Sequence, residues 1–232
     1  MDLPAMDLGD KPSRHPHCCL SLSAKLLDVL TETCFGKADE DSARLGPRRT
    51  VLSVGSGTGL LEALWQQHLS SSPSPYQHRR EYRIEGVEVR LKSAAVNASA
   101  VCNMYLPEQA INAVRSAADV VTSRLAVGDE GDGGDVVGVV FVYPRQPGLV
   151  SRYVRALGDD CGGRGERRGF VVVWLGPVAD WYDAFKACFD VNDDDEDQVM
   201  KKGDVEVRTL SGEEAGVGEY EMMAVLSMRS HG

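Results

Sequence analysis

A chain of 232 residues with 43% hydrophobic and 26% charged side chains is long enough to bury one sizeable core and leaves no room for a second catalytic unit. That usage excludes the disordered, collagen-like and disulfide-framework classes. A formal net charge of −10 repels phosphate backbones and anionic head groups, which sets nucleic acid and membrane surfaces aside as main partners.

The six cysteines form no CxxC pair, and their scatter is that of buried reduced thiols, not of bridges or zinc ligands. No apolar run approaches the roughly 20 residues of a membrane span. The first stretch mixes Asp2, Asp7 and Asp10 with Pro4, Pro12 and Pro16, a pattern unlike a signal or transit peptide. A soluble, cytoplasmic protein is expected.

In chain order, residues 1–19 read as a flexible arm, and the spacing of Leu20, Leu22, Leu26, Leu27 and Leu30 predicts a helix over 20–36. A single domain spans 20–232, with its core over 49–230. Thr50–Val54 is the first strand, Gly55-Ser56-Gly57-Thr58-Gly59 a glycine loop, and Leu60–Trp65 the start of a helix. Tyr82–Val89 alternates as a second strand. Leu91–Tyr105 is helical in pattern, Ile111–Arg115 a weaker strand and Ala117–Leu125 a short helix. Val136–Tyr143 and Phe170–Leu175 are nearly continuous apolar, β-branched runs, as in parallel strands covered on both faces. Helices are expected over Gly148–Leu157 and Ala179–Phe189, and Val205–Leu210 with Tyr220–Met228 reads as a closing antiparallel hairpin. The fold class is therefore α/β, a doubly wound, mostly parallel sheet with helices on both faces and a C-terminal antiparallel hairpin.

Glycines at alternate positions between a buried strand and a helix let the backbone turn sharply and approach a ligand more closely than a Cβ would permit. The spacing is GxGxG, with Leu60 where a dinucleotide fingerprint has its third glycine, which counts against a nicotinamide-dependent oxidoreductase. Glu88 closes the adjacent strand, where a carboxylate meets the hydroxyls of a bound ribose.

Val51-Leu52-Ser53-Val54-Gly55-Ser56-Gly57-Thr58-Gly59 followed by Gly86-Val87-Glu88-Val89 resembles the class I S-adenosylmethionine-dependent methyltransferase family, and the element order from Thr50 to Met228 matches that family's seven-stranded core. The resemblance implies S-adenosylmethionine as cofactor. Ser53, Gly55, Ser56, Gly57, Thr58 and Gly59 would line its methionine and ribose portion, Glu88 would hold the ribose diol, and Val89, Ser116 and Ala117 would border adenine. The chain departs from the family at Ser53, where an acidic residue is usual, and after the fourth strand, where Tyr143-Pro144-Arg145-Gln146-Pro147 replaces the Asn-Pro-Pro-Tyr type sequence of base and amide methyltransferases.

The expected activity is methyl transfer to a small organic acceptor, and no catalytic constellation can be assigned. Tyr143, Arg145 and Glu62 are the polar candidates near the pocket; Pro144 and Pro147 serve equally well a rigid turn there. The alternative is a catalytically inactive methyltransferase-like binding or scaffold protein, which Ser53 favours and the preserved glycines and Glu88 oppose. No metal-ligand spacing appears among the five histidines, and the oligomeric state is left open.

Overall fold

The structure is a computed structural model and describes residues 3–4, 8–36, 48–71, 81–89, 104–114, 136–160, 169–189 and 205–228. The chain opens with a two-stranded antiparallel ribbon, β1 (Ser13–His15) and β2 (Cys18–Leu22). The predicted helix over 20–36 therefore begins later, as α1 (Ala24–Phe35). Ser23 explains the boundary. Its backbone is extended and its hydroxyl accepts the Leu26 N–H at 3.0 Å, a side-chain cap for an otherwise orphan donor. Leu20 and Leu22 lie before that cap, and their spacing is the period-2 alternation of a strand.

Seven strands then form one sheet in the order β5-β4-β3-β6-β7-β9-β8. They are β3 (Arg48–Val54), β4 (Glu81–Val89), β5 (Ile111–Val114), β6 (Val136–Val142), β7 (Phe170–Pro177), β8 (Val205–Leu210) and β9 (Glu221–Met228). β9 pairs antiparallel with both β7 and β8, and the other ladders are parallel. This is the expected mostly parallel, doubly wound sheet with a C-terminal hairpin. Between the hairpin strands lies a one-turn helix, α5 (Gly212–Ala215), closed by a capping box of Ser211 and Glu214.

Helices cover both faces. α1 and α2 (Leu60–Ser71) pack on one; α3 (Pro147–Asp160) and a helical segment from Val178 to Cys188, designated α4, pack on the other. α4 opens with one α-turn, widens to π geometry over Trp181–Phe185 and tightens at its end. The sheet thus separates two apolar layers. Phe141, Trp174, Ala224 and Leu226 face one layer with Trp181 and Phe185 of α4. Val140, Val173, Val225 and Met223 face the other with Leu27, Leu30 and Trp65. Alternating residues of one strand serving opposite layers is why β6, β7 and β9 carry so few polar side chains.

Predicted helices over Leu91–Tyr105 and Ala117–Leu125 fall on or largely on residues outside those described; Tyr105 itself lies in a turn. Among the described cysteines, Cys34 is buried, Cys18 and Cys188 are half-buried and Cys19 is exposed, all as free thiols. The expectation of uniformly buried thiols is corrected accordingly: Cys19 is exposed. Among the described residues no helix is long and apolar enough to cross a membrane.

Candidate functional site

Strand β3 ends in the glycine loop at the carboxyl edge of the sheet, where ligands bind in open α/β folds. Gly55, Gly57 and Gly59 have φ values of +82°, +57° and +78°, the left-handed region that costs an L side chain about 1–2 kcal/mol. A Cβ at Gly57 would meet nothing within 4 Å, and one at Gly55 would meet only the Val142 carbonyl at 3.8 Å. Space beside Gly55 and Gly57 is thus open. The Gly55 N–H donates to the Val87 carbonyl at 3.0 Å, and the Gly59 carbonyl accepts the first helical bond of α2 from Ala63 at 3.0 Å.

Ser53, beneath this loop, is 1% exposed, and its hydroxyl donates to Glu62 Oε1 at 2.5 Å. Glu62 lies in the first turn of α2 and is equally buried. A carboxylate therefore stands beside Ser53 after all, supplied by the helix instead of the strand. Glu88 and Val89 end β4, their backbones paired with Ala113 and Val114 of β5, and β4 lies beside β3 with Gly86 opposite Ser53. Ser116 and Ala117 lie outside the described residues.

A second constellation forms where β6 ends. Tyr143 has φ +48°, an unusual conformation for a bulky residue. Its N–H donates to the Leu175 carbonyl at 2.8 Å, and its hydroxyl donates to Glu221 Oε1 at 2.5 Å. Glu221, the first residue of β9, is 1% exposed. It also accepts the Gly218 N–H at 2.9 Å and the Ser21 N–H at 3.3 Å, and pairs with Arg14 at 3.6 Å. Burial and the bond to Glu221 push the Tyr143 phenol well above its ordinary value. It keeps its proton and is a hydrogen-bond donor, which removes it as a candidate base.

Of the three polar candidates, Tyr143 and Arg145 line one cavity, and Glu62 lies apart from them on Ser53. Glu62 lies under the glycine loop, Tyr143 is clamped to Glu221, and Arg145 is exposed on a cavity of about 440 Å³. That cavity is lined by Tyr143, Pro144 and Arg145 after β6, by Asp180, Asp183 and Phe185 of α4, and by Cys19 of the ribbon. Its volume is within the usual range for small-molecule sites, about 300–1,000 Å³.

The N-terminal ribbon spans both constellations. The Thr58 hydroxyl donates to the His17 carbonyl at 2.7 Å, His17 Nδ1 lies 2.5 Å from the Tyr105 hydroxyl, and the Tyr105 N–H donates to the Thr58 carbonyl at 3.2 Å. At its other end the ribbon contributes Arg14 and the Ser21 N–H to Glu221. Glu221, Arg14, Asp180 and Asp183 escaped the reading of the sequence. The available signals were an acid opening the otherwise apolar run Glu221–Met228 and two acids three apart on one helix face. Among the described residues no group of histidine, cysteine or carboxylate side chains could hold a metal ion.

No protein-family model matches the chain, and no curated protein does. Several solved structures are similar to it. The bifunctional kinase-methyltransferase WbdD is 14% identical with a TM-score of 0.46, over 88% of this chain and 39% of its own. A putative class I S-adenosylmethionine-dependent methyltransferase from Listeria monocytogenes is 12% identical with a TM-score of 0.43, over 88% and 59%. A SAM-dependent methyltransferase from Aquifex aeolicus is 10% identical with a TM-score of 0.39, over 88% and 97%. The chain thus spans under two thirds of the first two.

Proposed function

We propose that the protein transfers a methyl group from S-adenosylmethionine to a small organic acceptor. The observation that carries this reading is the loop of left-handed glycines, open beside Gly55 and Gly57 and floored by the Ser53–Glu62 pair, beside the strand that ends in Glu88. A mere turn between strand and helix needs neither the repeated left-handed backbone nor a buried carboxylate beneath it. The residues fit the cofactor. Gly55, Gly57 and Gly59 allow close backbone approach, Glu88 at the end of β4 would hold the ribose hydroxyls, and Glu62 would take the part of the acid missing at Ser53, toward the ammonium.

When bound, the cofactor supplies an electrophilic methyl on sulfonium. The chain's own task is to align the acceptor and exclude water. Tyr143, its only hydroxyl proton committed to Glu221, offers a fixed aromatic wall and an acceptor oxygen; Pro144 and Pro147 stiffen the turn that carries it. The scaffold reading drew its strength from Ser53; the Glu62 carboxylate bonded to it supports the enzyme reading instead.

Calorimetric titration with S-adenosylmethionine, S-adenosylhomocysteine and NADH tests the proposal. Micromolar binding of both adenosyl ligands is expected, with none for NADH and loss in Glu88→Ala. Glu62→Gln keeps a partner for Ser53 but removes the charge; it should weaken adenosyl binding about tenfold, the worth of one charge-assisted hydrogen bond. Absence of adenosyl binding by folded protein would leave a scaffold.

A further inference from the structure

The cavity beside Tyr143 is lined by side chains of both charges, with Cys19 of the N-terminal ribbon at its edge. Arg145 stands on the turn after β6, and Asp180 and Asp183 stand three residues apart on α4. Among the described residues none of the three has an ion pair or a side-chain hydrogen bond, and no ion pair joins Arg145 to either acid across the cavity. Apolar surface lies between them: Pro144, Pro147, Ala184 and the ring of Phe185, itself 3% exposed. Asp180 stands in the first turn of α4, where an acid suits the helix dipole, but that role needs no side chain on the cavity, and Asp183 lies beyond that turn. A long arginine and two short aspartates that line one cavity without pairing leave room for a ligand that bridges them. The ligand that satisfies both charges carries a cation and an anion at its ends.

We propose that this cavity binds a zwitterionic acceptor, an α-amino acid or a molecule bearing that head group, with its ammonium toward Asp180 and Asp183, its carboxylate on Arg145 and its apolar body against Phe185 and the two prolines. Arginine suits the carboxylate because its planar fork presents paired donors. Two carboxylates oppose the ammonium, so the site selects for the cation more strongly than for the anion. The assignment as acceptor site rests on the methyl-transfer reading; the assignment of ligand charge stands on the cavity alone.

The test uses three probes that share one apolar body: L-phenylalanine, phenethylamine without the carboxylate and 3-phenylpropionate without the ammonium. Binding to the full chain is read by saturation-transfer NMR and titration, with and without S-adenosylhomocysteine. Phenylalanine should bind about two- to fivefold more tightly than either single-charge probe, the contribution of one exposed ion pair. Arg145→Gln should bring phenylalanine to the level of phenethylamine and leave phenethylamine unchanged. The double variant Asp180→Asn/Asp183→Asn should abolish the advantage of phenylalanine over 3-phenylpropionate. All three positions are exposed, so the fold survives these changes, and circular dichroism confirms it. Equal binding of the three probes, no binding at millimolar concentration, or preferences that the variants do not move would each overturn the proposal. Phenylalanine binding without any adenosyl binding would sink the methyl-transfer reading while keeping the charge assignment; the reverse pattern would do the opposite.

Discussion

Tyr143 is held in the left-handed region by what its side chain and amide reach. Its hydroxyl meets a carboxylate that is 1% exposed, and removing that donor leaves a buried acceptor with one partner fewer. Tyr143→Phe is expected to cost about 1–3 kcal/mol, read as a lower urea midpoint at unchanged slope. The thiols offer a pH prediction. Burial pushes Cys34 up from 9.0 to about 12. A group whose folded value is raised stabilises fully below the unfolded value, and that stability is lost as pH rises through the folded value. Stability should therefore fall between pH 9 and about 12, and Cys34→Ala should show a shallower fall across that window in urea titrations. At this scale the sequence was legible only in part. Glycine spacing exposed the loop directly, because Gly55, Gly57 and Gly59 are needed for their backbones. The Ser53–Glu62 bond was invisible, since the residues meet only after the chain turns back through the loop, and nothing local marks them as partners.

Elements were legible where burial alone decides them. Val136–Val142 and Phe170–Pro177 are covered on both faces, and their apolar runs state it. The ribbon of Ser13–His15 and Cys18–Leu22 was not: its first strand is largely exposed, shows no alternation, and is tied down by Thr58, Tyr105 and Glu221, distant in sequence. The same holds for the start of α1, which depends on a C-terminal turn. Ser23 donates to the Gly216 carbonyl at 2.6 Å while capping Leu26. Gly216 has φ +73°, and a Cβ there would lie 2.6 Å from the Leu26 nitrogen. Gly216→Ala should therefore destabilise the protein by about 2 kcal/mol or more, from the left-handed penalty and the clash together. Ser23→Ala should cost about 1–2 kcal/mol through the lost cap. Thermal unfolding of both variants checks this; a wild-type midpoint for Gly216→Ala would show that the turn and α1 do not meet as described.

For the whole molecule, the sheet order was readable from the alternation of strands and helices, but the position of the last strand carries more than topology. β9 lies between β7 and β8, and its residues enter both apolar layers while its first residue is the carboxylate that joins Tyr143 to the N-terminal ribbon. It is thus the strand that must arrive from far along the chain before either layer closes. Until it does, β7 presents the bare edge of Phe170-Val171-Val172-Val173-Trp174-Leu175, an apolar, β-branched template that a neighbouring molecule could extend. Refolding is then a race between insertion within one chain, which does not depend on concentration, and pairing between chains, which does. The yield of monomer after dilution from urea should fall as protein concentration rises, and a peptide of the sequence Glu221–Met228 added during dilution should compete for the same edge.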